Sequence, residues 1–124
     1  SEKWIDVGHV HEIPENRAKK VCMPSQERIA IYRYEGKISA VSDVCAHQNG
    51  PLSEGKIVNG CITCPWHGYQ YLPESGTSPP PFTEKIPTFR VRVTGGRILL
   101  NPTPLPPGTA VTPADVEDDE GRSE

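Results

Sequence analysis

The sequence predicts an all-β fold, an antiparallel sandwich or barrel-like domain interrupted by two long loops. Three observations predict it. Pro and Gly supply 14 and 11 of the 124 residues, a share of turn formers that suits short strands and long connections. Segments such as RIAIYRY (28–34) and TFRVRVT (88–94) are rich in β-branched and aromatic residues or alternate between apolar and charged positions. Between such segments stand turn dipeptides, Asn59-Gly60 being the strongest.

WIDVGHV (4–10) reads as the first strand. His11 to Lys19 offers a helical turn at most, and no long helix is evident. RIAIYRY forms the next strand, Glu35-Gly36 a turn, and KISAVSDV its partner. Asn-Gly tolerates the positive φ that both central positions of a type I′ turn require, so Asn59-Gly60 joins KIV to CIT as a hairpin. In TFRVRVT, Phe89, Val91 and Val93 fall on one face and Arg90 and Arg92 on the other. Gly95-Gly96 then turns the chain into RILLN. The two long loops fall at 45–55 and 64–76.

The length suits one domain with a single core. The net charge is −3, but residues 111–124 carry six acids and one Arg. The rest is therefore slightly basic, without the concentrated basic face of a nucleic-acid binder. No apolar run approaches the roughly 20 residues of a membrane span, and no secretory h-region is present, so a cytoplasmic location is expected. Four cysteines in such a chain suggest metal ligands or buried thiols before disulfides. Residues 1–105 form the expected domain. Residues 106–124 are Pro-rich and acidic, too poor in apolar surface to pack, and are expected to form a flexible tail.

The chemistry lies in the two loops. The first supplies Cys45-Ala46-His47 and the second Cys64-Pro65-Trp66-His67, with 16 residues between His47 and Cys64. Those 16 contain the Asn-Gly hairpin, whose closure brings the loops side by side. Two thiolates and two imidazoles suit a zinc ion or a [2Fe–2S] cluster with both Cys on one iron and both His on the other. Each loop supplies one Cys and one His. That interleaving is natural where each loop must reach two irons, and a single zinc ion gives no reason for it.

C-x-H, 16 residues, then C-x-x-H-G resembles the Rieske iron–sulfur proteins. CAHQNGPLSEG looks like their first cluster-binding loop, CPWHGYQY like their second, and SPPPF (78–82), with Pro80, like the loop that covers the cluster. The resemblance spans residues 4–105 and implies a Rieske fold with both cluster-binding loops at one end. It implies one [2Fe–2S] cluster per chain, with Cys45 and Cys64 on one iron and His47 and His67 on the other. Respiratory members brace the cluster with a disulfide at positions that are Gly50 and Trp66 here. They also place a hydrogen-bonding Ser where this chain has Tyr69. The family's Tyr is retained as Tyr71. Fewer donors to the cluster predict a potential in the lower half of the Rieske range, which spans roughly −150 to +300 mV. Exposed imidazole ligands also predict a potential that falls at alkaline pH.

The expected function is one-electron transfer. A flavin-dependent reductase would donate the electron and an oxygenase receive it, and the chain would be no enzyme and have no small-molecule substrate of its own. Gln48, Pro51 and Leu52 are expected at the rim that a partner meets, and Trp66 is expected to wall the cluster. Two other readings are a detached Rieske domain of a ring-hydroxylating oxygenase and a zinc-stabilised interaction module. Cys61 looks like half of a C-x-x-C pair with Cys64. Three positions along a strand put the two on opposite faces, so Cys61 reads as a buried thiol, and Cys22 likewise. His9 and His11 share a predicted strand face and read as surface residues.

Overall fold

The structure, a computed structural model, describes residues 4–22, 28–43, 52–65, 68–80 and 83–115. Eleven short strands form three antiparallel sheets among these residues. The central sheet holds β2 (Arg17–Cys22), β3 (Arg28–Tyr34) and β4 (Lys37–Ser42). Beyond β4 it takes two short pieces, β8 (Thr88–Phe89) and β11 (Ala114–Asp115). A second sheet runs β1 (Ile5–His9), β10 (Arg97–Leu100), β9 (Val91–Thr94). The third, smallest sheet runs β5 (Lys56–Val58), β6 (Cys61–Thr63), β7 (Gln70–Tyr71).

The central sheet is apolar on both faces, and the alternation along β3 shows why. Ile29 and Ile31 join a buried cluster with Ile13, Ile38, Phe89, Val93 and Ile98. Ala30, Tyr32 and Tyr34 face the other way, into a cluster with Val41, Ile57, Ile62, Tyr71 and Ile86. A strand covered on both sides reads as a continuous apolar run, as RIAIYRY nearly does. The second cluster joins the smallest sheet to the central one and so positions the two loops.

The turns behave as expected. Glu35 and Gly36 have φ of 50° and 76°, Asn59 and Gly60 of 54° and 81°, the positive pair of a type I′ turn. Four elements differ from expectation. Residues 17–22 form β2, paired with β3 from Arg17↔Arg33 to Cys22↔Arg28, where a helical turn was expected. Only the 3₁₀ turn Val10–Glu12 is helical there. The polar RAKKVC occupies an edge of the sheet, where long charged side chains are common. TFRVRVT divides into two strands. Phe89 pairs with Ala40 in the central sheet, Val91 pairs with Leu100 in the second, and exposed Arg90 marks the crossing. The loop 64–76 contains β7.

The fourth difference lies in the tail. Leu105 N–H donates to the Thr88 carbonyl at 2.9 Å, Gly108 N–H to Ile86 at 3.2 Å and Val111 N–H to Glu74 at 2.8 Å. Thr88 Oγ1 donates to the Thr109 carbonyl at 2.8 Å, and Ala114 pairs with Ile38. Residues 105–115 are thus held by backbone hydrogen bonds to open edges, which need little apolar surface of their own. Among the described residues no helix is long and apolar enough to cross a membrane.

Candidate metal centre

The first loop leaves β4 at Ser42 and returns at the 3₁₀ turn Leu52–Glu54. Asp43 closes its mouth. The Leu52 N–H donates to the Asp43 carbonyl at 3.0 Å, and the Ser53 N–H donates to Asp43 Oδ1 at 2.5 Å. Tyr32 Oη donates to the Leu52 carbonyl from beneath. Burial pushes the Tyr32 phenol well above its ordinary value, and the charges of Asp43 and Cys64 push it the same way. Asp43 is 1% exposed, and its Oδ2 has no hydrogen-bond partner among the described residues. Cys45, His47, Gln48 and Pro51 lie in the stretch this mouth encloses, outside the described residues.

The second loop joins β6 to β7. Its base closes where the Cys64 N–H donates to the Tyr69 carbonyl at 2.7 Å, and the Gly68 N–H donates back to the Cys64 carbonyl at 3.0 Å. Gly68 has φ of 75°, a conformation that costs a side-chain-bearing residue more. Trp66 and His67 lie outside the described residues. Gly55 holds the two loops in register: a Cβ there would sit 2.1 Å from the Thr63 carbonyl oxygen. Its requirement is backbone packed on backbone.

Leu52, the last residue of the first mouth, and Cys64, the first of the second, belong to one buried cluster with Tyr71, and Tyr69 packs on it. Leu52 is fully buried, so it supports the loop from within, where a place on the docking rim was expected. Cys64 is 3% exposed. Along β6 burial alternates, with Cys61 and Thr63 half-buried and Ile62 and Cys64 buried, so Cys61 and Cys64 face opposite ways. Partial burial raises the Cys61 thiol pKa. Cys22, expected to be buried, is exposed at the end of the edge strand β2. Pro80 is exposed, in the segment between Ser78 and Glu84, which share a backbone hydrogen bond of 3.0 Å. His9 and His11 do not share a strand face: His11 lies in the 3₁₀ turn and donates its N–H to His9 Nδ1 at 3.1 Å.

The donor set fits a two-iron cluster. A thiol at the mouth of a buried layer gains from exclusion of water once it is a metal-bound thiolate, and the loop that carries the second Cys–His pair closes against the same layer. Asp43, Tyr32 and Ser53 escape sequence reasoning because their part is to close a loop. The one available signal is an acid at a strand end just before C-x-H.

Comparison with known proteins agrees with this geometry. Residues 3–90 match the family model of the Rieske [2Fe-2S] domain. The ferredoxin component of a naphthalene 1,2-dioxygenase system from Pseudomonas aeruginosa is 32% identical over 102 residues, 82% of this chain and 97% of that protein. The ferredoxin subunit of anthranilate 1,2-dioxygenase from Burkholderia cepacia is 32% identical over 103 residues, 80% of this chain and 92% of that protein. The ferredoxin of carbazole 1,9a-dioxygenase from Nocardioides aromaticivorans IC177 shares the fold at a TM-score of 0.74 and 19% identity, over 82% of this chain and 99% of that one.

Proposed function

Because the chain belongs to the Rieske [2Fe–2S] domain family, we propose that Cys45 and Cys64 hold one iron of its cluster and His47 and His67 the other. The chain is an electron-transfer protein, and its cofactor is a [2Fe–2S] cluster. Bound there, the cluster supplies a reversible one-electron redox step, with mixed Cys and His ligation making its potential less negative than an all-thiolate set would.

The observation that carries the ligand assignment is the position of Cys64, buried at the mouth of the second loop and packed in one layer with Leu52. The chain's own residues do three things around it. Leu52, Tyr32 and Tyr71 exclude water from the cysteine side. The Asp43 and Cys64 hydrogen bonds hold both loop mouths fixed, so little need move when the charge between them changes. Tyr69 and Tyr71, in the second loop and β7, supply hydroxyls for hydrogen bonds near the ligands. Gln48, Pro51 and Trp66 form the rim, and Pro80 the cover. The partners are a flavin-dependent reductase as donor and an oxygenase as acceptor, a reading supported by relatives that are ferredoxin components of dioxygenase systems. The location is cytoplasmic, and the potential lies in the lower half of the Rieske range.

Iron, acid-labile sulfide and electron spin resonance test the assignment together. The purified protein should hold iron and sulfide in equal amounts and give a rhombic signal when reduced. Cys64→Ser should lose the signal and Cys61→Ser keep it. A colourless protein containing zinc and no iron, or a Cys61→Ser variant that loses the cluster while Cys64→Ser keeps it, would overturn it.

A further inference from the structure

Beside the second loop opens a cleft of about 430 Å³, lined by Arg17, Glu54, Lys56, Thr63, Cys64 and Gly68 among others. Gly68 is exposed, and a Cβ on it would meet no described atom within 4 Å. Arg17 and Lys56 are exposed on its walls, with no ion pair to a described residue. Other acids near β2 are already engaged: Glu12 with Lys19 at 2.6 Å and Glu15 with Arg33 at 3.8 Å. Glu54 is the one acid in the lining. The positive charge reaches inward too, since Arg17 lowers the pKa of Tyr32, against the larger effect of burial.

We infer that this cleft docks an acidic surface of the chain's redox partner, with a partner carboxylate seated between Arg17 and Lys56. The inference rests on the electron-carrier reading and adds to it the partner's charge and the residues that read it. Complementary charge at such a site sets the encounter rate and its salt dependence. A carboxylate held between Arg17 and Lys56 would bring the partner's surface beside the loop that carries Cys64. One electron then leaves the reduced protein for the partner, and no atom is transferred.

The test uses the cluster-bearing protein and anionic probes of known structure. Hexacyanochromate(III), a paramagnetic and inert trianion, should broaden the amide signals of Arg17, Ala18, Lys56 and Ile57 at low ionic strength and release them at about 0.3 M salt. Oxidation of the reduced protein by hexacyanoferrate(III), which takes one electron and becomes hexacyanoferrate(II), should slow by about fivefold or more in Lys56→Glu and Arg17→Glu. Lys37→Glu makes the same charge change at the far end of β4 and should slow it less than twofold. Hexaammineruthenium(III), a cation, should not slow in any of the three. Broadening spread evenly over the surface, or equal effects of Lys56→Glu and Lys37→Glu, would sink the inference. A protein without iron would instead sink the electron-carrier reading, and the broadening experiment reads the cleft in either case.

Discussion

Asp43 shows what a single side chain does at this site. It is buried, closes the first loop with its backbone carbonyl and Oδ1, and leaves Oδ2 without a partner among the described residues. Asp43→Asn keeps an acceptor for the Ser53 N–H, whereas Asp43→Ala leaves that half-buried donor without one, at a cost of about 0.5–1.5 kcal/mol. Alanine should therefore lower the unfolding midpoint and speed iron loss to a chelator, and asparagine should restore most of both. Equal iron-loss rates for the two variants would refute the positioning role. Gly55 is the second such residue. Gly55→Ala places a methyl group 2.1 Å from the Thr63 carbonyl, and the forced shift should cost about 1–3 kcal/mol in denaturant unfolding. A variant as stable as the parent would show that the two backbones part easily.

At the scale of elements, a C-terminal strap closes over the segment between β7 and β8. Residues 105–115 hydrogen-bond to Glu74, Ile86 and Thr88 and add β11 to the central sheet. They brace the segment that leads from β7 to β8, and so the second loop from behind. Truncation after Pro104 removes four hydrogen bonds to Glu74, Ile86 and Thr88 as well as the β11 pairing, and the four alone should cost roughly 2–6 kcal/mol at the usual net value for each. The measurement is the urea midpoint of the truncated chain; no change would mean that the strap merely rests on the surface. The same scale explains why the strap was read as a tail. Hydrophobic pattern locates elements that bury apolar side chains, and PTPLPPGTAVTPAD buries few, being held through its backbone.

For the molecule as a whole, stability should depend on acid. Asp6 is held below its ordinary value of 3.8 by the Arg97 hydrogen bonds and the Gly8 N–H, and Glu12 below 4.5 by Lys19. A carboxylate with a depressed folded-state value stabilises the fold above its unfolded value and loses that contribution as pH falls through the folded one. Unfolding midpoints should therefore fall as pH drops below about 4, and Asp6→Asn should flatten the fall. A parallel fall in that variant would refute the assignment. Much of the molecule was legible beforehand. RIAIYRY, the Glu35-Gly36 and Asn59-Gly60 turns and the face of Val91 and Val93 follow from local rules of periodicity and φ. C-x-H and C-x-x-H carry their chemistry in residue type and spacing alone. Less was legible where long-range pairing decides. β2 is a strand because β3 offers it a partner, and Arg90 divides one apparent strand because two sheets compete for its flanks. Leu52 is core because it packs in one buried cluster with Tyr32 and Cys64. The sequence by itself determined the turns and the two-faced apolar strands, and it carries the Cys–His spacing on which the proposed ligand set rests, since these depend on neighbours a few residues apart. Only the tertiary structure decided which backbone closes each loop and what charge surrounds Cys64, because those follow from contacts between segments far apart in the chain.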